Sequence, residues 1–116
     1  MITVTIWHNE NCSKSRNTLT LLKEQNIDIK VVNYLDNPPD YNEIANVLKM
    51  LGKTAREIMR TKEEIYLELE LDKVNSQDKL IEAMINNPQL IERPIVIRDL
   101  KAAIGRPIDN IIELIK

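Results

Sequence analysis

The side chain in this chain best placed for nucleophilic chemistry is its single cysteine, Cys12. It falls between an alternating run at residues 2–7 and a segment whose apolar residues recur at helical spacing, and so occupies a loop from strand to helix N-terminus. Unpaired N–H groups and the positive dipole end of a helix stabilise a thiolate, lowering a cysteine pKa from about 8.5 to between about 3.5 and 7.5. The same N–H groups would cradle a tetrahedral oxyanion. Lys14 and Arg16 add positive charge nearby, whereas Glu10 raises the pKa if it points inward. Ser15, three residues on, can turn its hydroxyl toward the sulfur, at the place where a dithiol redox protein carries its second cysteine. The competing reading makes Cys12 a small buried hydrophobe, a common fate of a lone cysteine. Its position where a parallel sheet opens a crevice favours the reactive one.

Three arginines extend this chemistry. Arg60, Arg93 and Arg106 are far apart in sequence, yet each stands at an element edge: the end of a helical segment, the residue before Pro94 and the residue before Pro107. If they converge, their planar guanidinium groups give paired hydrogen bonds to neighbouring oxygens of phosphate, arsenate or carboxylate. Taken singly, each reads as a solvated surface residue. Arg16, Arg56 and Arg98 offer no comparable case for anion binding. His8 can share a proton with the thiol or donate to an anion, against the plainer reading of a loop histidine satisfied by backbone. Arg93-Pro94-Ile95 ahead of an apolar strand suits a cis proline that shapes the crevice wall, and the sequence leaves the isomer open.

The elements that must position these residues follow from periodicity. Ile2, Val4 and Ile6 share one side of a strand over 2–7; Leu19, Leu22 and Ile27 mark the next helix, with Ser13 or Asn11 as its cap. Residues 29–35, rich in β-branched side chains, form a second strand, which makes a parallel, right-handed βαβ unit. Asn37-Pro38-Pro39-Asp40 ends it. Ile44, Val47, Leu48 and Leu51 then define a helix over 41–51, capped by Asp40 and stopped by Gly52. Further helical segments are expected over 54–59, 63–69 and 76–86. A strand over 95–97, a turn at Asp99-Leu100, a partner strand over 102–104 and a helix over 107–116 complete the chain. The expected architecture is α/β: a mixed four-stranded sheet flanked by helices, with a helical insertion at about 40–90 between βαβ and ββα halves of a single domain, 1–116.

Composition narrows the function classes. With 116 residues and 43% hydrophobic side chains the chain builds one ordinary core. Sixteen basic against eighteen acidic residues leave a net charge of -2, and the lysines are scattered, which disfavours nucleic acid as a partner. No apolar run reaches the roughly 18–20 residues of a membrane helix and no basic region precedes a signal-type stretch, so no membrane association and a cytoplasmic location are expected. One cysteine excludes an intramolecular disulfide and a multi-cysteine zinc site, and His8 cannot complete a metal cage with it, so no metal is expected.

His8-Asn9 followed by Cys12, Ser15-Arg16-Asn17-Thr18-Leu19, Tyr34-Leu35 with Asn37-Pro38-Pro39, Arg56 through Arg60, Arg93-Pro94-Ile95-Val96 and Gly105-Arg106-Pro107 resemble, in this order, the glutaredoxin-coupled arsenate reductases of the thioredoxin-like superfamily. The likeness spans almost the whole chain and is closest to a compact branch. Glu10 stands where that pattern has a proline, and Ser13-Lys14 replaces smaller residues. The resemblance implies a thioredoxin-like fold, Cys12 as the nucleophile that forms a thiol–arsenic adduct, and Arg60, Arg93 and Arg106 as oxyanion-holding residues. His8, Ser15, Arg16 and Pro94 support them. No cofactor is bound; glutathione is the co-substrate and glutaredoxin the protein partner that resolves the mixed disulfide, in keeping with a chain that has no second thiol. Two alternatives stay open: a thiol reductase of this fold acting on another substrate, and a non-catalytic binding module like related regulators of RNA polymerase. Those regulators usually carry Cys-x-x-Cys, and Ser15 removes that switch.

Overall fold

The period-two run at the start folds as expected, one residue out of step. In the computed structural model, which describes residues 2–116, β1 spans Thr3–His8 and carries the strand through His8, which is therefore not a loop residue. Helix α1 (Ser13–Glu24) ends where Asn26 turns into the left-handed region, so Ile27 lies beyond it, and β2 (Asp28–Asn33) pairs parallel to β1 with Val4 opposite Ile29 and His8 opposite Asn33. Strand β3 (Ile95–Arg98) runs antiparallel to β1, and β4 (Lys101–Ile104) antiparallel to β3, giving the order β2-β1-β3-β4. This is the mixed four-stranded sheet expected from the sequence. Residues 2–37 and 93–116 make one compact unit and Pro38–Glu92 another.

The sheet unit has its core on one face. Val4 and Ile6 from β1 and Val96 from β3 meet Leu22 of α1 and Ile111 of α5 (Asp109–Leu114), all buried, with Leu19, Ile29, Ala103 and Leu114 packed around them. Trp7, of opposite parity in β1, is also buried and pairs with Ile95 of β3, so both faces of the sheet lose contact with water near its site end. Helix α5 starts later than the 107 expected: the Arg106–Pro107 peptide is cis, and the first helical turn opens behind Ile108. Arg98 holds its far end, donating to the carbonyls of Leu114 and Lys116.

The inserted unit is helical. Helix α2 (Tyr41–Leu51) has a capping box, with the Asp40 carboxylate accepting from Glu43 N–H and the Glu43 carboxylate accepting from Asp40 N–H, and stops at left-handed Gly52. Helix α4 (Gln77–Asn86) is capped by Ser76 and packs on α2, burying Leu80, Ile81 and Met84 near Ile44, Val47 and Leu48. The segments expected as helices over 54–59 and 63–69 are shorter: a single 3₁₀ turn at Arg56–Ile58 and α3 (Glu64–Glu68). The Arg56 guanidinium donates to the Tyr66 hydroxyl and to the Leu71 and Val74 carbonyls, tying this turn to the segments that follow. Among the described residues no helix is long and apolar enough to cross a membrane.

Candidate active site

Cys12 itself is the N-cap of α1; neither Asn11 nor Ser13 takes that role. Its N–H donates to Asn9 O at 3.0 Å, closing the turn after β1, and its carbonyl accepts from Arg16 N at 3.0 Å to start the helix. The sulfur thus meets the first free N–H groups of α1. Burial pushes the thiol up, but a hydrogen bond from the Arg93 guanidinium, the N–H groups of Ser15 and Lys14, and the charge of Arg93 outweigh it and bring the thiol down to about 7. Arg106 adds a second guanidinium, with Nη2 donating to Cys12 Sγ at 3.5 Å and Nε to the Arg93 carbonyl at 2.8 Å. Arg93–Pro94 is cis, which decides the isomer the sequence left open, and the Pro94 carbonyl accepts from Gly105 N–H at 2.9 Å. That bond sets the two Arg-Pro segments side by side.

The expected helpers are arranged differently. Ser15 does not turn to the sulfur: its hydroxyl oxygen lies 2.6 Å from His8 Nδ1 and accepts from Asn9 N–H at 3.0 Å. Being fully buried and directly above the strand end, it is captured by groups that would otherwise stay unpaired. His8 is buried at the end of β1, its Nδ1 bonded to a side chain rather than to backbone. Burial holds its pKa below the usual histidine range, with Lys23 and Arg16 acting in the same direction and Glu10 opposing. Arg16 points back to the Glu10 carbonyl at 2.8 Å, and Glu10 is exposed, so neither side chain governs the thiol. The positive charge near the sulfur comes from the two arginines that precede prolines.

Arg60 belongs to the inserted unit, just beyond the bridge between Met59 and Ile91, with Nη1 3.5 Å from the Glu92 carboxylate and Nε 3.8 Å from that of Glu63. Tyr34, which has no role in the sequence reading beyond its place in a motif, is fully buried and feels both Arg93 and Cys12. Its signal was faint, a polar-tipped aromatic one residue past a strand. Among the described residues no group of three or more His, Cys, Asp or Glu side chains is placed to hold a metal ion.

Alkylation of Cys12 by a neutral reagent should rise with pH through a midpoint of about 7, because only the thiolate attacks. Arg93→Ala removes the strongest anion-favouring partner and should move that midpoint up toward the ordinary thiol value of about 8.5. A midpoint unchanged in the variant would assign the thiolate to the helix terminus and Arg106 rather than to Arg93.

A cysteine capping the helix that follows the first strand, on a sheet of order β2-β1-β3-β4 with a cis proline leading into β3, defines a thioredoxin-like domain. The model of the ArsC family matches residues 7–114, and the chain belongs to that family. It is 50% identical over 114 residues to uncharacterized protein YfgD of Escherichia coli K12, covering 97% of this chain and 96% of that one. It is 48% identical over 110 residues to an arsenate reductase of Neisseria meningitidis, covering 93% and 94%. Among solved structures, an arsenate reductase from Vibrio cholerae superposes with a TM-score of 0.92 at 44% identity, over 97% of each chain.

Proposed function

We propose that the protein reduces arsenate to arsenite through a covalent adduct on Cys12, with glutathione as co-substrate and glutaredoxin as the external thiol partner. One observation carries this reading: two guanidinium groups, Arg93 and Arg106, stand against the sulfur of a helix-capping cysteine whose pKa is about 7. A mixed disulfide needs a thiolate but has no use for paired guanidinium groups, whereas a tetrahedral oxyanion uses both. The relatives named arsenate reductase support the choice of oxyanion.

The chemistry balances with the groups at hand. The Cys12 thiolate attacks arsenic, an S–As bond forms, and one arsenate oxygen leaves as water after taking up protons. Glutathione thiolate then attacks Cys12 Sγ; the S–As bond breaks and its electron pair stays on arsenic, which departs as arsenite. Arsenic(V) has become arsenic(III), and two thiols have become one mixed disulfide. A glutaredoxin thiol attacks that disulfide and returns Cys12 as thiolate. Arg93 and Arg106 hold the oxygens during attack and stabilise the leaving thiolate. The need for an external thiol suits the reducing cytoplasm, where we place the reaction.

The test is the state of Cys12. After arsenate and glutathione are added without glutaredoxin, intact-mass measurement should show one glutathione on the protein, and glutaredoxin should then release it and sustain arsenite production. The resemblance extends the oxyanion-holding role to Arg60, so Arg60→Ala in the same assay should cost about 1–3 kcal/mol of turnover, the range for a lost charge-assisted hydrogen bond. Sustained turnover without any external thiol would overturn the scheme.

A further inference from the structure

Tyr34 follows Asn33, which pairs with His8, and so stands beside Asn9, where the Cys12 loop leaves the sheet. The side chain is fully buried, and among the described residues no acceptor stands within hydrogen-bond distance of its hydroxyl proton. A buried hydroxyl whose proton has no acceptor is costly and calls for an explanation. Its polar neighbours are Arg93 and Asn9, and the Cys12 charge acts on it as well. A guanidinium has only donors. Asn9 Oδ1 accepts from the Asn11 N–H at 2.9 Å and is not within hydrogen-bond distance of the Tyr34 hydroxyl, and the Asn9 side chain acts on the phenol in the sense of a donor. Both neighbours serve the phenolic oxygen as donors, and among the described residues no acceptor lies within hydrogen-bond distance of the phenolic proton.

We infer that Tyr34 is an oxyanion-contacting residue, its O–H directed to an oxygen of the anion held against Cys12 by Arg93 and Arg106. The inference rests on the function proposed above and deepens it. A bound tetrahedral anion supplies the one thing missing around the phenol, an acceptor. A neutral donor among cations also adds selectivity, since a guanidinium attracts any anion whereas a buried O–H rewards only one that places an oxygen on it.

Protection of Cys12 from a neutral alkylating reagent reads anion binding without turnover. Arsenate should protect wild type, and in Tyr34→Phe the half-protecting concentration should rise about tenfold to a hundredfold, the range for a hydrogen bond to a charged group. The alkylation midpoint of the anion-free variant should stay where it is in wild type. Site-specific 3-fluorotyrosine at position 34, which keeps the hydroxyl and acidifies it, should tighten protection and serves if the phenylalanine variant folds poorly. Protection unchanged in these variants overturns the role of Tyr34 while leaving the function standing. A shifted anion-free midpoint in Tyr34→Phe also overturns it, because Tyr34 would then act by placing Arg93. No protection of wild type by arsenate overturns the function, and this inference with it.

Discussion

Cys12→Ser should bring arsenite formation down to the uncatalysed background while leaving the protein at least as stable as wild type. The two halves of that expectation have separate causes. A serine hydroxyl in this position stays protonated at neutral pH, so the donors that bring the cysteine thiol to about 7 cannot produce a comparable nucleophile. Stability follows the other chemistry of the position. Cys12 is the N-cap of α1 and its thiol is only a weak acceptor for the helix N–H groups, whereas serine is among the preferred caps, worth about 0.5–2 kcal/mol over a non-capping residue. An arsenite assay beside thermal unfolding checks both. A serine variant that melts early would mean that the sulfur is needed for packing, and residual turnover with glutathione and glutaredoxin would remove Cys12 from the nucleophile's role.

Gly105→Ala should be among the most damaging small changes available. A Cβ there would lie 2.7 Å from Pro94 Cγ, 2.8 Å from Thr18 Oγ1 and 3.1 Å from Pro94 Cδ. Its φ is ordinary, so the glycine is needed for space rather than for conformation. The proline ring cannot swing aside, and Thr18 is buried with its hydroxyl bonded to the Lys14 carbonyl at 3.0 Å. Overpacking of this kind costs about 1–3 kcal/mol. Relief by displacement would carry Arg106 and Arg93 away from the sulfur, because Gly105 N–H to Pro94 O and Arg106 Nε to Arg93 O join the two segments. Denaturant unfolding should show the lost stability, and the Cys12 alkylation midpoint should climb with it. A variant with wild-type stability and midpoint would show that the Arg-Pro segments separate freely.

The sheet was legible because its information is local: parity in β1, β-branched side chains in β2 and a two-residue turn between β3 and β4 each name a strand. The site was legible by residue type and less so by direction. Arg93 and Arg106 stand against the Cys12 sulfur, yet Ser15 and Arg16 turn elsewhere, because a side chain in the first helical turn goes to whichever orphaned group lies nearest, and that depends on the neighbouring strand end. The cap was misplaced by one residue for a related reason: Asn11 and Ser13 are better cap formers than cysteine, but the turn from Asn9 O to Cys12 N sets where the helix begins. Tyr34 escaped notice because the sequence reading takes it as one more residue of a strand over 29–35, whereas β2 ends at Asn33. The contact that Gly105 makes room for joins positions 94, 18 and 105, and only the fold brings those together.

Trp7, buried in β1 and paired across to Ile95, is the chain's single tryptophan. The molecule therefore carries its one indole fluorophore in one compact unit, while Pro38–Glu92 has only tyrosines, which long-wavelength excitation passes over. Emission excited at long wavelength follows the sheet and its two helices, while circular dichroism sums the helices of both units. If the two signals change together on denaturation, the inserted helices and the sheet unfold as one cooperative body; if they part, the insertion is a separately melting module. With Trp7 adjoining His8 in β1 and opposite the residue after the cis proline, the same emission follows events at Cys12 with no dye attached.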